Sequence, residues 1–145
     1  MRGSPVETDR AVAYLLLRVT IGTSLFGHGL VRMPKLSAFH AQMMGEFKAS
    51  ILPAALVSPC VYVLPFVELA TGVLLVAGAF TRVAAAAGAL VMIVLVFGAT
   101  SIEHFNVIGE QLLHAMLLAA VVAFRSHNRY SVDNLLISRI SKSMG

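Results

Sequence analysis

Four apolar stretches, at about 11–31, 57–80, 83–102 and 107–124, take up most of this 145-residue chain. Each is near the ~20 residues that a helix needs to cross the hydrocarbon core of a bilayer. Only 12% of the residues are charged and 58% are hydrophobic, where a soluble domain carries about 25% charged residues. The mean hydropathy of +0.84 agrees. The length suits a single transmembrane domain over 1–145. The net charge of +4 is small and falls mostly at loops and ends, which fits anionic headgroups rather than nucleic acid. No basic stretch is interleaved with aromatics, so a DNA or RNA partner is excluded. Cys60 stands alone, which excludes an internal disulfide and a CxxC redox pair. The opening MRGSPVETDR is polar and mixed in charge. It lacks the short apolar segment and cleavage site of a secretory signal, so the first stretch is expected to stay as a membrane anchor.

The connections predict the topology. Thr81 and Arg82 alone separate the second and third stretches, and Glu103 to Asn106 the third and fourth. Links this short force neighbours side by side, giving an all-α, integral-membrane, antiparallel four-helix bundle. Arg2, Arg10, Arg82, Arg125, Arg129, Arg139 and Lys142 fall on one side of it, and Arg32, Lys35 and Lys48 on the other. The positive-inside rule then puts both termini in the cytoplasm, in a multi-pass protein of a bacterial inner membrane. Between spans one and two, Leu36, Phe39, Met43 and Phe47 recur at helical spacing, predicting an amphipathic helix over about 36–47 on the outer surface. It is either a lid or a plain surface helix. A second interfacial helix is expected over about 131–140, capped by Ser131, with Val132, Leu135, Leu136 and Ile140 on one side. Gly22, Gly72, Ala84 and Gly88 mark close helix packing.

Five ionisable residues interrupt the spans: Arg18, His28, Glu68, Glu110 and His114. A charge at the middle of a bilayer costs roughly 2.5–3.5 kcal/mol on insertion scales, so such groups face one another or a wet cavity. Sequence position converts to depth at about 1.5 Å per residue. By that measure Arg18 and Glu68 both lie near mid-membrane, and an Arg18–Glu68 ion pair is the least costly way to keep them there. The pair serves as a structural clasp or as the floor of a polar pocket. His28, Glu110 and His114 fall in the outer half. Glu110 and His114 share a helix face at i, i+4, with Gln111 and Asn106 nearby. A shielded carboxylate beside histidines suits acid–base or proton-coupled redox chemistry, because low dielectric brings both toward neutral pKa. Interhelical hydrogen bonding alone is the plainer alternative. His28 and His114 also raise axial haem ligation, a lesser alternative. No other metal site is expected.

The residues resemble a known family. In LLLRVTIGTSLFGHGLVRM, the positions Arg18, Gly22, His28, Gly29 and Arg32 are similar to the opening of the DoxX family of small bacterial membrane proteins. Pro65, Glu68, Gly72, Gly78, Thr81 and Arg82 match its next signature, and Arg129, Ser131 and Asp133 resemble its closing motif. The resemblance implies a four-helix membrane bundle tied to redox metabolism, with a DoxD branch associated with thiosulfate:quinone oxidoreductase activity. A quinone-linked redox protein is thus the expected function. His28 and His114 would meet the quinone carbonyls and Glu110 or Glu68 would pass protons. Arg18 would hold Glu68 ionised or stabilise a reduced, anionic quinol. Phe39, Met43, Met44 and Phe47 would cover the entrance, with Gln111 beside it, and Arg32, Lys35 and Lys48 would attract an anionic donor. The alternative is a non-enzymatic membrane subunit that binds a lipid or anchors a redox complex, as a homo-oligomer or with a partner protein.

Overall fold

The computed structural model describes residues 4–143, and side chains as far as Arg139. Arg2, and the side chains of Ile140 and Lys142, lie outside the described residues. Those described are mainly helical, with no strand among them: α1 (Pro5–Arg32), α2 (Leu36–Glu46), α3 (Ala54–Ala77), α4 (Thr81–Ser101), α5 (Ile108–Ala123) and α6 (Val132–Ser143), joined by 3₁₀ turns and short non-helical links. Four helical runs are long and apolar enough to cross a membrane, the first continuing from Pro5 through α2 to Ala49. Pro34 sits in the 3₁₀ turn Met33–Lys35 that links α1 to α2.

α1 starts six residues earlier than the apolar pattern suggests. Ser4 accepts from the Glu7 N–H and the Glu7 carboxylate accepts from the Ser4 N–H, with Pro5 in the first turn. This capping box satisfies donors that would otherwise face water unpaired. α1 packs most extensively on α3 and α4 on α5, whereas α1 meets α5 over a smaller contact. Glycines set the α1–α3 approach. A Cβ on Gly29 would stand 2.6 Å from the Pro65 carbonyl oxygen, one on Gly22 3.0 Å from the Val76 nitrogen, and one on Gly72 would strike the Phe26 backbone. Small residues let helix backbones come this close in a bilayer, where lipid offers no hydrophobic drive between helices. The core gathers Tyr14, Ile21 and Leu25 from α1, Leu75 from α3, Ala84, Ala85 and Met92 from α4, and Leu118 and Val121 from α5.

α2 lies beside the first turns of α3. His40 shares a hydrogen bond with Ser58 (2.9 Å) and stacks on Tyr62 with ring centroids 4.0 Å apart. Leu36, Phe39, Met43 and Phe47 are half-buried, while Ser37, Ala38, Ala41 and Gln42 are exposed. The Phe47 ring reaches Gly98 on α4.

The residues after α5 lock the α3–α4 turn. α3 ends at Gly78 in the left-handed region (φ 69°), and α4 begins without a local side-chain cap. Asp133 supplies one from 52 residues away: its carboxylate accepts from the Phe80 N–H (2.7 Å) and the Thr81 N–H (2.9 Å). The Asp133 N–H donates to the Gly78 carbonyl (3.0 Å), Asn128 donates to the Thr81 hydroxyl (3.1 Å), and Ser131 caps α6 by accepting from Asn134. Burial opposes ionisation of Asp133, yet hydrogen bonds from Thr81 and Phe80, with the Arg18 charge behind them, hold its carboxyl below the usual 3.8.

Two outcomes are expected. Gly72→Leu lowers the melting temperature in detergent, through overpacking of about 1–3 kcal/mol, whereas Gly27→Ala does not, since open space surrounds Gly27. Asp133→Ala costs about 1 kcal/mol as a lost cap. Because the folded pKa lies below the unfolded one, that contribution is complete above pH 3.8 and fades as pH falls through the folded value. The melting difference between wild type and Asp133→Ala therefore shrinks below about pH 4 and is constant above pH 5.

Candidate functional site

The glycine contacts fix the depths of the polar residues, and they redistribute the charges. Arg18 lies level with Gly78, whose missing Cβ leaves the space its guanidinium occupies. It is 1% exposed and donates to the Tyr130 carbonyl through Nη2 (2.8 Å). Among the described residues its Nε and Nη1 find no partner. A cation at the C-terminal end of α3 is favoured by the helix dipole, with Asp133 near enough to act on it electrostatically.

The expected Arg18–Glu68 pair is not formed. Glu68 is ten residues from Gly78, about 15 Å along α3, which puts it beyond the reach of a side chain at that level. Glu68 instead pairs with Arg32 at 2.5 Å, the glutamate 3% and the arginine 27% exposed. Arg32 also lies over the Phe39 ring, 5.0 Å from its centre. The residue assigned to an outer attracting surface is thus the partner of the buried carboxylate. The sequence sign for this was present but unread: Arg32 follows Gly29 by less than a turn, and Gly29 lies against the Pro65–Leu69 turn of α3.

The second cluster lies along the seam between α1 and α5. His114 bridges it: Nδ1 donates to the Glu110 carbonyl in its own helix (2.8 Å), and Nε2 meets the Ser24 hydroxyl of α1 (2.8 Å). His28 stands beside it, ring centroids 5.9 Å apart and tilted by 59°. The structure therefore brings His28 and His114 together and adds Ser24, which sequence reasoning did not single out although it lies one turn before His28. The Glu110 side chain is exposed and joins the cluster only through its backbone carbonyl. Gln111 contributes a buried side-chain oxygen without a hydrogen-bond partner among the described residues. His40 is held on α2 by Ser58 and Tyr62.

Haem does not fit this arrangement. Both His114 ring nitrogens are engaged, one to a carbonyl that can only accept and one to Ser24, leaving no free lone pair for iron. Among the described residues no group of three His, Cys, Asp or Glu side chains could hold a metal ion. The His28 ring beside His114 makes no hydrogen bond to the described residues.

The family model for DoxX matches residues 13–101, more than half of the chain. The chain belongs to the DoxX family. No curated relative and no solved structure matches it. The matched region carries Arg18, Ser24, His28, Arg32 and Glu68. His114 and the Asp133 lock come from the stretch of this DoxX protein that follows it.

Breaking a buried pair by removing one partner costs about 3–5 kcal/mol, the lower end applying to a partly exposed arginine. Arg32→Leu and Glu68→Leu are each expected to destabilise the protein, and the double variant to recover some of the loss. Arg18→Ala and Glu68→Ala should be additive, within the roughly 0.5 kcal/mol allowed for independent sites. Thermal unfolding of the two cycles in one detergent decides between the pairings.

Proposed function

We propose that this DoxX protein is a quinone-linked redox protein of the bacterial inner membrane, with the quinone head held in the α1–α5 seam. The observation that supports this reading best is the Glu110 carbonyl–His114–Ser24 chain beside His28. The carbonyl fixes the Nδ1–H tautomer, so Nε2 is the position that gains or loses a proton. Ser24 accepts from a protonated Nε2 and donates to a neutral one, so the contact survives either state. Quinone reduction takes up two electrons and two protons, and Nε2 can hold one proton at a fixed place. His28 and the Gln111 amide supply donors for carbonyl oxygens, and the apolar walls of the seam suit a prenyl tail. The two electrons and the second proton come from a reductant outside this chain. α2, with Phe39, Met43, Met44 and Phe47, covers the outer end of the bundle as a lid of adaptable side chains.

Arg10, Arg82, Arg125, Arg129 and Arg139 gather at the end bearing the α3–α4 turn, which the positive-inside rule makes cytoplasmic. The exposed His28 and Glu110 side chains on a membrane-spanning face favour a second reading: this face also meets a partner subunit, since polar groups facing lipid are costly.

Extraction of the purified protein and mass spectrometry of the extract test the proposal. Wild type should carry quinone, and His28→Ala and Gln111→Ala, which remove the two donors, about tenfold less, the order expected for lost hydrogen bonds. Quinone-free wild-type protein, or full occupancy in both variants, rejects the quinone reading. Quinone-free protein that co-purifies with a redox partner supports the subunit reading instead.

A further inference from the structure

A groove of about 460 Å³ opens at the basic end of the bundle, lined by Arg10, Ala13, Tyr14, Leu17, Phe124 and His127. Its walls come from the first turns of α1, which project past the α3–α4 turn, and from the chain just beyond α5. From Arg18, level with Gly78, back to Arg10 is eight residues, about 12 Å along the helix. Arg10 therefore lies at headgroup depth while Leu17 lies close to the edge of the hydrocarbon. Apolar and aromatic surface fills the deeper side and cations the outer rim. Arg10 and Arg125 form no salt bridge among the described residues, unlike Arg129, which is held at 3.5 Å by Glu7. Arg125 follows Phe124 directly and precedes His127, both of which line the groove. The Tyr14 hydroxyl is already committed to the Val121 carbonyl (2.9 Å), so the ring forms a fixed wall and offers no hydroxyl donor to an occupant.

We infer that this groove binds one anionic phospholipid, its phosphate on Arg10, Arg125 and His127 and an acyl chain against Ala13, Leu17 and Phe124. Charge complementarity carries the assignment. Two unpaired guanidinium groups and an imidazole at headgroup depth attract a phosphodiester with net negative charge far more than a zwitterionic head. The adjoining apolar wall retains a molecule that has a chain and not a free phosphate. The inference is independent of the quinone reading, since none of these residues lies in the Ser24–His28–His114 cluster.

Native mass spectrometry of the full chain in detergent tests it, titrating phosphatidylglycerol, phosphatidylcholine and glycerol phosphate separately. One phosphatidylglycerol is expected to bind with at least tenfold preference over phosphatidylcholine, and glycerol phosphate not to bind. Arg10→Ala and Arg125→Ala should each weaken phosphatidylglycerol about fivefold, whereas Arg129→Ala, whose charge is spent on Glu7, should leave it unchanged. Ala13→Trp fills the groove while keeping every charge, and should abolish the single tight site. Equal binding of the two lipids, unchanged affinity in Arg10→Ala and Arg125→Ala, or tight binding retained in Ala13→Trp overturns the inference. Glycerol phosphate binding as tightly as the lipid overturns the role of the chain. A variant that loses phosphatidylglycerol binding counts only if its melting temperature stays within a few degrees of wild type, and Arg10→Lys, which keeps the charge, should then restore most of the affinity.

Discussion

The slide of α1 along α3 is the constraint on which the rest depends. Gly22, Gly29 and Gly72 bring the two backbones to a distance that any side chain would prevent, so the register cannot shift by a turn without a collision. Once that register is set, Arg32 falls against Glu68, Arg18 against Gly78, and Ser24 faces α5 at His114. The Arg32–Glu68 pairing and the seating of Arg18 against Gly78 both follow from where the glycines stop the helices. This is how a chain with no hydrophobic force between its helices obtains one arrangement: packing chooses the register, and the charges then reinforce it, because a slipped bundle would leave Glu68 in hydrocarbon without its cation.

The architecture was legible because the hydrophobic signal is long-range and redundant. Four stretches of membrane-crossing length and two very short connections leave little freedom. The unusual polar residues were also legible, since a charge in an apolar run is conspicuous whatever surrounds it. Pairing was not legible, for a specific reason. Depth measured from the edge of an apolar stretch assumes that the stretch and the membrane share an edge. α1 violates this: its capping box starts it at Pro5, it projects beyond the α3–α4 turn, and the helical run continues through α2 after Pro34. Measured that way, Arg18 falls too near the middle and Arg32 too far outside. The capping role of Asp133 was not legible for another reason. A cap is read from the residues just before a helix, and α4 takes its cap from a residue 52 positions later.

The two arginines of α1 show how differently one side chain can be accommodated. Arg32 is neutralised by a carboxylate and lies over the face of Phe39. Arg18 has a single hydrogen bond to a carbonyl and leans on the dipole of α3 and the more distant charge of Asp133. The carbonyl it binds belongs to Tyr130, in the same segment whose Asp133 caps α4. Arg18 therefore holds the tail through Tyr130, and the tail in turn holds the α3–α4 turn through Asp133. The end of the bundle is closed by this polar lock rather than by apolar packing. That is consistent with its headgroup depth, where hydrogen bonds are available and hydrocarbon contacts are few.

Tightness is distributed unevenly, and the unevenness matters for function. α1–α3 and α4–α5 are each closed by small residues, and the Arg32–Glu68 pair and the tail lock pin the two ends. The remaining joint, α1 against α5, is less extensive and carries the His28 ring, the Gln111 amide with its unpartnered oxygen and, past its end, Arg10 and Arg125. A ligand can enter a packed membrane bundle only where separating two helices breaks little, and it is retained only where donors are waiting. Both conditions meet along this joint. They do not meet on the α1–α3 side, where opening would have to break an ion pair and pull apart backbones already in contact.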